Sequence, residues 1–265
     1  MSAGAPPAQP FPAERGREES GVVRREGVDL AWRRLPGQAP GVVFLPGFNS
    51  DMQGSKATEL ADWCAARGRA FLRFDYSGHG ASGGRFEDGT IGTWLADAAA
   101  VIAAQSEGPQ ILVGSSMGGW MALLLASRGL VPVAGLIGIA AAPDFVTRIE
   151  AGLSEAARAE MAATGMWRRP SAYGDPYPIT RRLLEEGRSH LLLGGPIPIA
   201  APVRLLHGQQ DPDVPWQLAL EIAARVTTAD AQVTLVKDGD HRLSRPQDLA
   251  LLRRTLAALL GGEDA

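Results

Sequence analysis

From residue 40 onward, short apolar runs alternate with segments of helical period, and this alternation limits what the chain can fold into more than any other feature. The runs lie at 42–45, 70–74, 111–113, 133–140, 203–206 and 233–236. A strand with one face in water alternates apolar and polar residues, whereas one covered on both faces reads as a nearly unbroken apolar run. Helices are expected between them, over 56–67, 91–105, 117–128, 217–226 and 246–260. The pattern predicts an α/β fold, a mostly parallel central sheet flanked by helices. Residues 23–33 alternate loosely and are expected to add an antiparallel strand or two at the leading edge. Residues 1–20, rich in Pro, Ala and Gly and then in Arg and Glu, are expected to form a disordered tail ahead of a domain over 21–265.

The rhythm breaks between 144 and 199. Helical patterns near 155–163 and 179–192 follow one another with no strand between, and the stretch is too long for a plain connection. It is expected to be a helical cap over the working edge of the sheet. Met161, Met166, Trp167 and Leu192 are its candidate substrate-binding residues. Walling an acyl channel and merely packing the cap onto the sheet are both open to them.

Several function classes fall away on composition. Lys and Arg number 26 against 29 Asp and Glu, a net charge of -3, so no basic surface exists for gripping nucleic acid. One cysteine, Cys64, excludes a disulfide framework and a Cys-only zinc site. The longest uncharged stretch, 108–127, carries Gln110, Ser115, Ser116 and several glycines, so no transmembrane helix is expected. No apolar block of signal-peptide length opens the chain. Glycine accounts for 32 of the 265 residues, well above the usual share of about 7%, which calls for tight turns or close backbone approaches.

One such turn carries chemistry. Gly114-Ser115-Ser116-Met117-Gly118 fits G-x-S-x-G, directly after the run 111–113 and directly before a helical pattern, the strand-to-helix context that this motif requires. Ser116 is the candidate nucleophile. A serine hydroxyl needs a base to take its proton and a third group to fix the base's tautomer. Of four histidines, His190 reads as a cap surface residue, His79 as part of a glycine-rich turn and His207 as a buried strand end. His241, in the loop between the last strand and the last helix, is the candidate base. Asp211, just past the run 203–206, is preferred as the acid, with Asp213 and Asp144 as rivals. The developing oxyanion needs two backbone N–H donors, for which Met117 and Phe48 of Pro46-Gly47-Phe48 are the candidates.

At these residues the sequence resembles the serine α/β-hydrolases, and within them the abhydrolase-domain palmitoyl-protein thioesterases with their bacterial relatives. The resemblance spans about 22–260. It rests on Phe44-Leu45-Pro46-Gly47-Phe48, Gly54-Ser55-Lys56-Ala57, Arg73-Phe74-Asp75-Tyr76-Ser77-Gly78, the stretch 108–116, Leu205-Leu206-His207-Gly208 with Val214-Pro215-Trp216, and Asp240-His241-Arg242-Leu243. It implies a Ser116, Asp211, His241 triad, an oxyanion hole from the N–H groups of Phe48 and Met117, and hydrolysis of fatty-acyl thioesters or esters on small molecules or S-acylated proteins. No metal or organic cofactor is called for, and a monomer or weak homodimer is expected. Animal members carry an import segment that the tail does not resemble, so a bacterial, cytoplasmic protein is expected. A short-chain carboxylesterase would use the same groups. Dehalogenases and epoxide hydrolases want aspartate where Ser116 stands, and a non-catalytic binding domain would have no use for the three side chains.

Overall fold

The computed structural model describes residues 18–171 and 174–262. The chain runs β1 (Glu19–Arg25), β2 (Val28–Leu35), β3 (Gln38–Leu45), α1 (Ser55–Ala66), β4 (Arg69–Phe74), α2 (Ile91–Gln105), β5 (Gln110–Ser115), α3 (Met117–Ser127) and β6 (Val133–Ile139). An insertion follows with α4 (Phe145–Ala151), α5 (Glu155–Thr164), β7 (Met166–Ser171), β8 (Gly174–Thr180) and α6 (Arg181–Gly187). The fold closes with β9 (Val203–Gly208), α7 (Gln217–Arg225), β10 (Ala231–Val236) and α8 (Pro246–Leu259).

The main sheet has eight strands in the order β1-β2-β4-β3-β5-β6-β9-β10. The leading hairpin is antiparallel, as expected at that edge, and β2 meets β4 antiparallel; every later pairing is parallel. The two-residue turn Glu26-Gly27 has positive φ at both positions, the geometry whose twist suits a tight hairpin. Part of the expected tail, 1–17, lies outside the described residues. Its last three residues belong to the fold instead: Glu19 and Ser20 pair in β1, and Glu18 accepts from both Nε and Nη2 of the buried Arg73 at 2.8 Å.

Covering both faces explains the unbroken apolar runs. Val43, Leu45, Leu112, Leu136 and Leu205 point into one core, under α2, α3 and α7. Val42, Phe44, Ile111, Val113, Ile137 and Leu206 point into the other, under α1 and α8. The first core holds the fully buried Trp94 and Trp120. Their indole nitrogens donate to the carbonyls of Ser77 (3.1 Å) and His190 (3.2 Å), so each ring satisfies its polar edge while its apolar face packs.

The insertion is not the purely helical cap expected. Between α5 and α6 it carries an antiparallel hairpin, β7 with β8. Prolines at 170, 176 and 178 and the arginines at 168 and 169 hide this pairing from a reading based on β-branched runs, since Pro is tolerated only where no ladder hydrogen bond is needed. Asp144, one of the rival acids, fastens the insertion to the sheet. It sits in the left-handed region (φ 57°) ahead of α4, and its carboxylate accepts from the backbone N–H of Leu192 at 2.8 Å and of Leu193 at 2.9 Å. Replacing Asp144→Ala strands two partly buried donors, so stability is expected to fall by about 1–3 kcal/mol, with amide exchange at Leu192 and Leu193 accelerating selectively. Exchange at those two amides matching the wild type would show that another group holds the cap.

Candidate active site

Brought to the carboxyl edge of β5, the chain turns sharply into α3 through Ser116, whose φ of 54° and ψ of -116° are strained for a residue with a side chain. Backbone hydrogen bonds hold it there. Its N–H donates to the Ile139 carbonyl at 2.9 Å, and its carbonyl accepts from Gly119 (2.9 Å) and Ala142 (3.1 Å). The glycines around it are matters of space: a Cβ on Gly114 would overlap the Gly118 backbone, one on Gly118 would overlap the Leu45 carbonyl, and one on Gly119 would press on Ala141 at 2.6 Å. The backbones of β3, β5 and α3 therefore touch, and Ser116 is lifted clear at the rim.

The loops after β9 and β10 meet in the same way. Any Cβ on Gly208 would overlap Gly239, and Gln210 donates to the Gly239 carbonyl at 2.9 Å. This contact places Asp211 beside His241. The Asp211 carboxylate is wholly buried, with Oδ1 accepting from the N–H groups of Asp213 (2.8 Å) and Val214 (2.9 Å). Its Oδ2 lies 2.7 Å from His241 Nδ1 and 3.2 Å from His207 Nε2. Burial alone would raise the carboxyl pKa, but hydrogen bonds from His207 and His241 together with the His241 charge outweigh it and hold the group well below the usual carboxylate range. Since the carboxylate only accepts, Nδ1 of His241 carries the proton, which leaves Nε2 as the basic nitrogen. His207 is fully buried and also reaches the Val214 carbonyl through Nε2, at 3.1 Å, while its Nδ1 has no partner, which assigns it the Nε2–H tautomer.

After β3 comes the loop of Pro46-Gly47-Phe48-Asn49. At Gly47 a Cβ would lie 3.2 Å from the Ser115 carbonyl and 3.5 Å from Ser116 Cβ, so this loop runs alongside the elbow. Among the described residues no acceptor takes the backbone N–H of Phe48 or of Met117, the latter being the first of α3. Two groups from the turn after β4 set the loop's height. His79 Nδ1 donates to the Ser77 carbonyl (3.1 Å) and its Nε2 accepts from the Asn49 N–H (3.3 Å). Asp75 accepts from Met52 N–H at 2.7 Å and Ala81 N–H at 2.8 Å. His79 is thus more than a turn residue; the signal in the sequence was its adjacency to Gly78 and Gly80, which says that the chain bends there but not what the imidazole meets.

A cavity of about 1010 Å³ opens over the elbow, and Ser116, His241, Phe48 and Trp167 all line it. Phe48 sits at the centre of an aromatic cluster, edge-on to Phe86 (4.9 Å between centroids), Tyr177 (5.5 Å), Phe145 and Trp94 (both 5.7 Å). The structure places the other cap candidates elsewhere. Met161 is buried in the core beneath α5, and neither it, Met166 nor Leu192 reaches the cavity wall. Met161 and Leu192 serve packing instead, and the wall is made by Phe145, Ile149 and Tyr177, from α4 and β8. Of the rival acids, Asp144 is spent on the cap and Asp213 pairs with Arg169 at 3.4 Å. Ligand atoms of Asp211, Asp213 and His241 lie within 4.8 Å of one another, and the closest pair, His241 Nδ1 and Asp211 Oδ2 at 2.7 Å, is joined by a hydrogen bond.

Residues 42–251 match the alpha/beta hydrolase family. The chain is 42% identical over 239 residues to the mouse mitochondrial palmitoyl-protein thioesterase ABHD10, spanning 89% of this chain and 80% of that relative. The solved structure of mouse alpha/beta hydrolase domain-containing protein 10 superposes with a TM-score of 0.84 at 41% identity, covering 92% of this chain and 98% of that one. A crystal structure from Agrobacterium vitis S4 superposes with a TM-score of 0.87 at 42% identity, with the same coverage. The curated relatives are named as mitochondrial, which overturns the expectation of a cytoplasmic protein.

Burial pushes the His79 imidazole down to about 4 from 6.5, against the opposing effects of the Ser77 carbonyl and the Asp97 charge. The folded state therefore binds fewer protons than the unfolded chain between these values, and stability rises with pH across the window. Its contribution is complete above about 6.5 and is lost as pH falls toward 4, whereas that of Asp211 is lost only below the ordinary carboxylate range. Denaturant unfolding measured from pH 7 to pH 4 is expected to show this slope in the wild type and a shallower one in His79→Gln; equal slopes would remove His79 from the account.

Proposed function

Because the chain belongs to the alpha/beta hydrolase family, we propose that Ser116, His241 and Asp211 form its catalytic triad and that acyl thioesters are its substrates, cleaved through an acyl-serine intermediate. The chain is a hydrolase of ester or thioester bonds. Supporting the residue assignment above all is the 2.7 Å contact between a wholly buried Asp211 carboxylate and His241 Nδ1, with His241 on the wall of the cavity that Ser116 also lines.

In this reading Nε2 of His241 takes the Ser116 proton as Oγ attacks the acyl carbonyl. The carbonyl electron pair moves onto oxygen, which rests on the N–H groups of Phe48 and Met117. Each such donor is worth about 3–4 kcal/mol of barrier. Collapse of the tetrahedral adduct breaks the carbon–sulfur or carbon–oxygen bond. The leaving group takes the proton from His241, and a water activated by the same nitrogen then releases the acid. Asp211 stays ionised throughout and stabilises the imidazolium. On the cavity wall, Phe145, Ile149, Trp167 and Tyr177 receive the acyl chain.

Three measurements test this. Ser116→Ala is expected to abolish fluorophosphonate labelling without loss of fold, and labelling that persists would mean another serine reacts. Asp211→Asn, which frees the wrong tautomer of His241, is expected to lower kcat by about 10³–10⁴-fold. On a panel of acyl-thiol and acyl-phenol substrates of increasing chain length, Trp167→Ala is expected to raise KM for long acyl chains by about 10-fold or more, with little change for acetyl. Preference for acetyl over long chains in the wild type would favour a short-chain carboxylesterase, which uses the same catalytic groups.

A further inference from the structure

Lys56 stands where local physics disfavours a cation. It is in the first turn of α1, at the positive end of the helix dipole, and that turn has no acidic residue and no side-chain cap. It is also half-buried on the cavity wall, where desolvation adds to the cost. A residue that violates local preference in this way has a reason elsewhere in the structure. The reason is 186 residues away: Lys56 Nζ donates to the Arg242 carbonyl at 2.5 Å and to Ser244 Oγ at 3.3 Å. Arg242 follows His241 directly. The Arg242 carbonyl also accepts from Ser244 Oγ at 3.1 Å, and the next residue, Leu243, has a positive φ of 44°, so the turn after the histidine is bent against its preference. The loop that ends at Gly54 carries Phe48, the proposed oxyanion donor.

We propose that Lys56 is a positioning residue that clamps the His241 loop to the oxyanion side of the site, so that imidazole, Ser116 and the Phe48 N–H keep a common register. The inference rests on the triad assigned above. Lys56 acts through Arg242 and Ser244 and touches none of the reacting atoms.

The groups facing Lys56 are Arg242 and Asp240 on the histidine loop and Asp248 on α8. Burial, with the Arg242 charge, pushes the ammonium down to about 8 against the pull of the two carboxylates. Above that pH the charge that strengthens the bond to the Arg242 carbonyl is lost. The test compares wild type, Lys56→Met and Lys56→Arg, reading the fluorophosphonate labelling rate, kcat and KM on an acyl-thiol ester from pH 6.5 to 9.5, and the thermal midpoint. Small misplacements of a catalytic group cost up to about 10²-fold. Lys56→Met is expected to lower labelling and kcat by about 10- to 100-fold at pH 7, with KM little changed and no step near pH 8. The wild type is expected to fall toward the Met variant as pH rises through 8, and Lys56→Arg, which stays charged, to restore the rate and remove that step.

Labelling by Lys56→Met at the wild-type rate would overturn the proposal, as would a rise in KM with kcat intact, which would make Lys56 a substrate contact. If Lys56→Met does not fold, the comparison of wild type with Lys56→Arg decides: profiles with the same shape through pH 8 overturn it. A failure of the triad itself looks different, as labelling absent from the wild type or present in Ser116→Ala.

Discussion

The arrangement depends on a carboxylate taken wholly out of water and still ionised. Burying an unpaired carboxylate would cost several kcal/mol, and the protein offsets this with two backbone N–H groups on Oδ1 of Asp211 and two imidazoles on Oδ2. These four donors come from three stretches of rim: the two N–H groups from the loop's own continuation, His207 from the end of β9 and His241 from the loop after β10. Meeting the electrostatic demand of one side chain therefore fixes where three segments lie. It also fixes the tautomer of His241, because an acceptor on Nδ1 leaves the basic nitrogen facing the cavity.

Such closeness is possible only because the backbones are bare where they cross. Gly118 against Leu45, Gly119 against Ala141 and Gly208 against Gly239 leave no room for a Cβ, so the high glycine content is concentrated, at the site, where strand ends converge. In a doubly wound sheet the loops after β3 and β5 are neighbours because the strand order reverses between β4 and β5. The same reversal puts the loop bearing Phe48 beside the elbow bearing Ser116. Strain at Ser116 is tolerated because its N–H and carbonyl are both bonded to the end of β6 and the segment that follows, which over-determines the turn.

What could be read from the sequence follows from which contacts are local in pattern. The central strands were legible because both of their faces are buried, and α2 matches the expected 91–105, its start capped by Thr90 through the Thr93 N–H. The elbow was legible because strand, turn and helix are contiguous. The β7–β8 hairpin was not, since its prolines and arginines lack a strand's composition. Neither was α4, which starts after a left-handed aspartate that looks like a turn. Asp144 read as a possible acid because its position after β6 is right for one; only the folded chain reveals that Leu192 and Leu193 occupy its oxygens. His79 and Lys56 escape a linear reading, for their distant partners are Asn49, Arg242 and Ser244, and nothing in their own neighbourhoods names those residues.

A division of labour follows from where the ties run. The rim loops are bound chiefly to one another: Asp211 to His241, His79 to Asn49, Lys56 to Arg242. The insertion is bound to the scaffold behind the site through Asp144 at the end of β6 and through Trp120 on α3 donating to the His190 carbonyl, and to the rim through Arg169 pairing with Asp213. Its contribution to the cavity is mainly wall, with Phe145, Ile149, Trp167 and Tyr177 facing inward. Substitutions along that wall change the shape presented to an acyl chain without entering the hydrogen-bond network around Asp211. The same separation explains how one scaffold can keep an acid–base pair under tight electrostatic control while its roof departs from a purely helical plan, since the roof is asked for shape and the rim for charge.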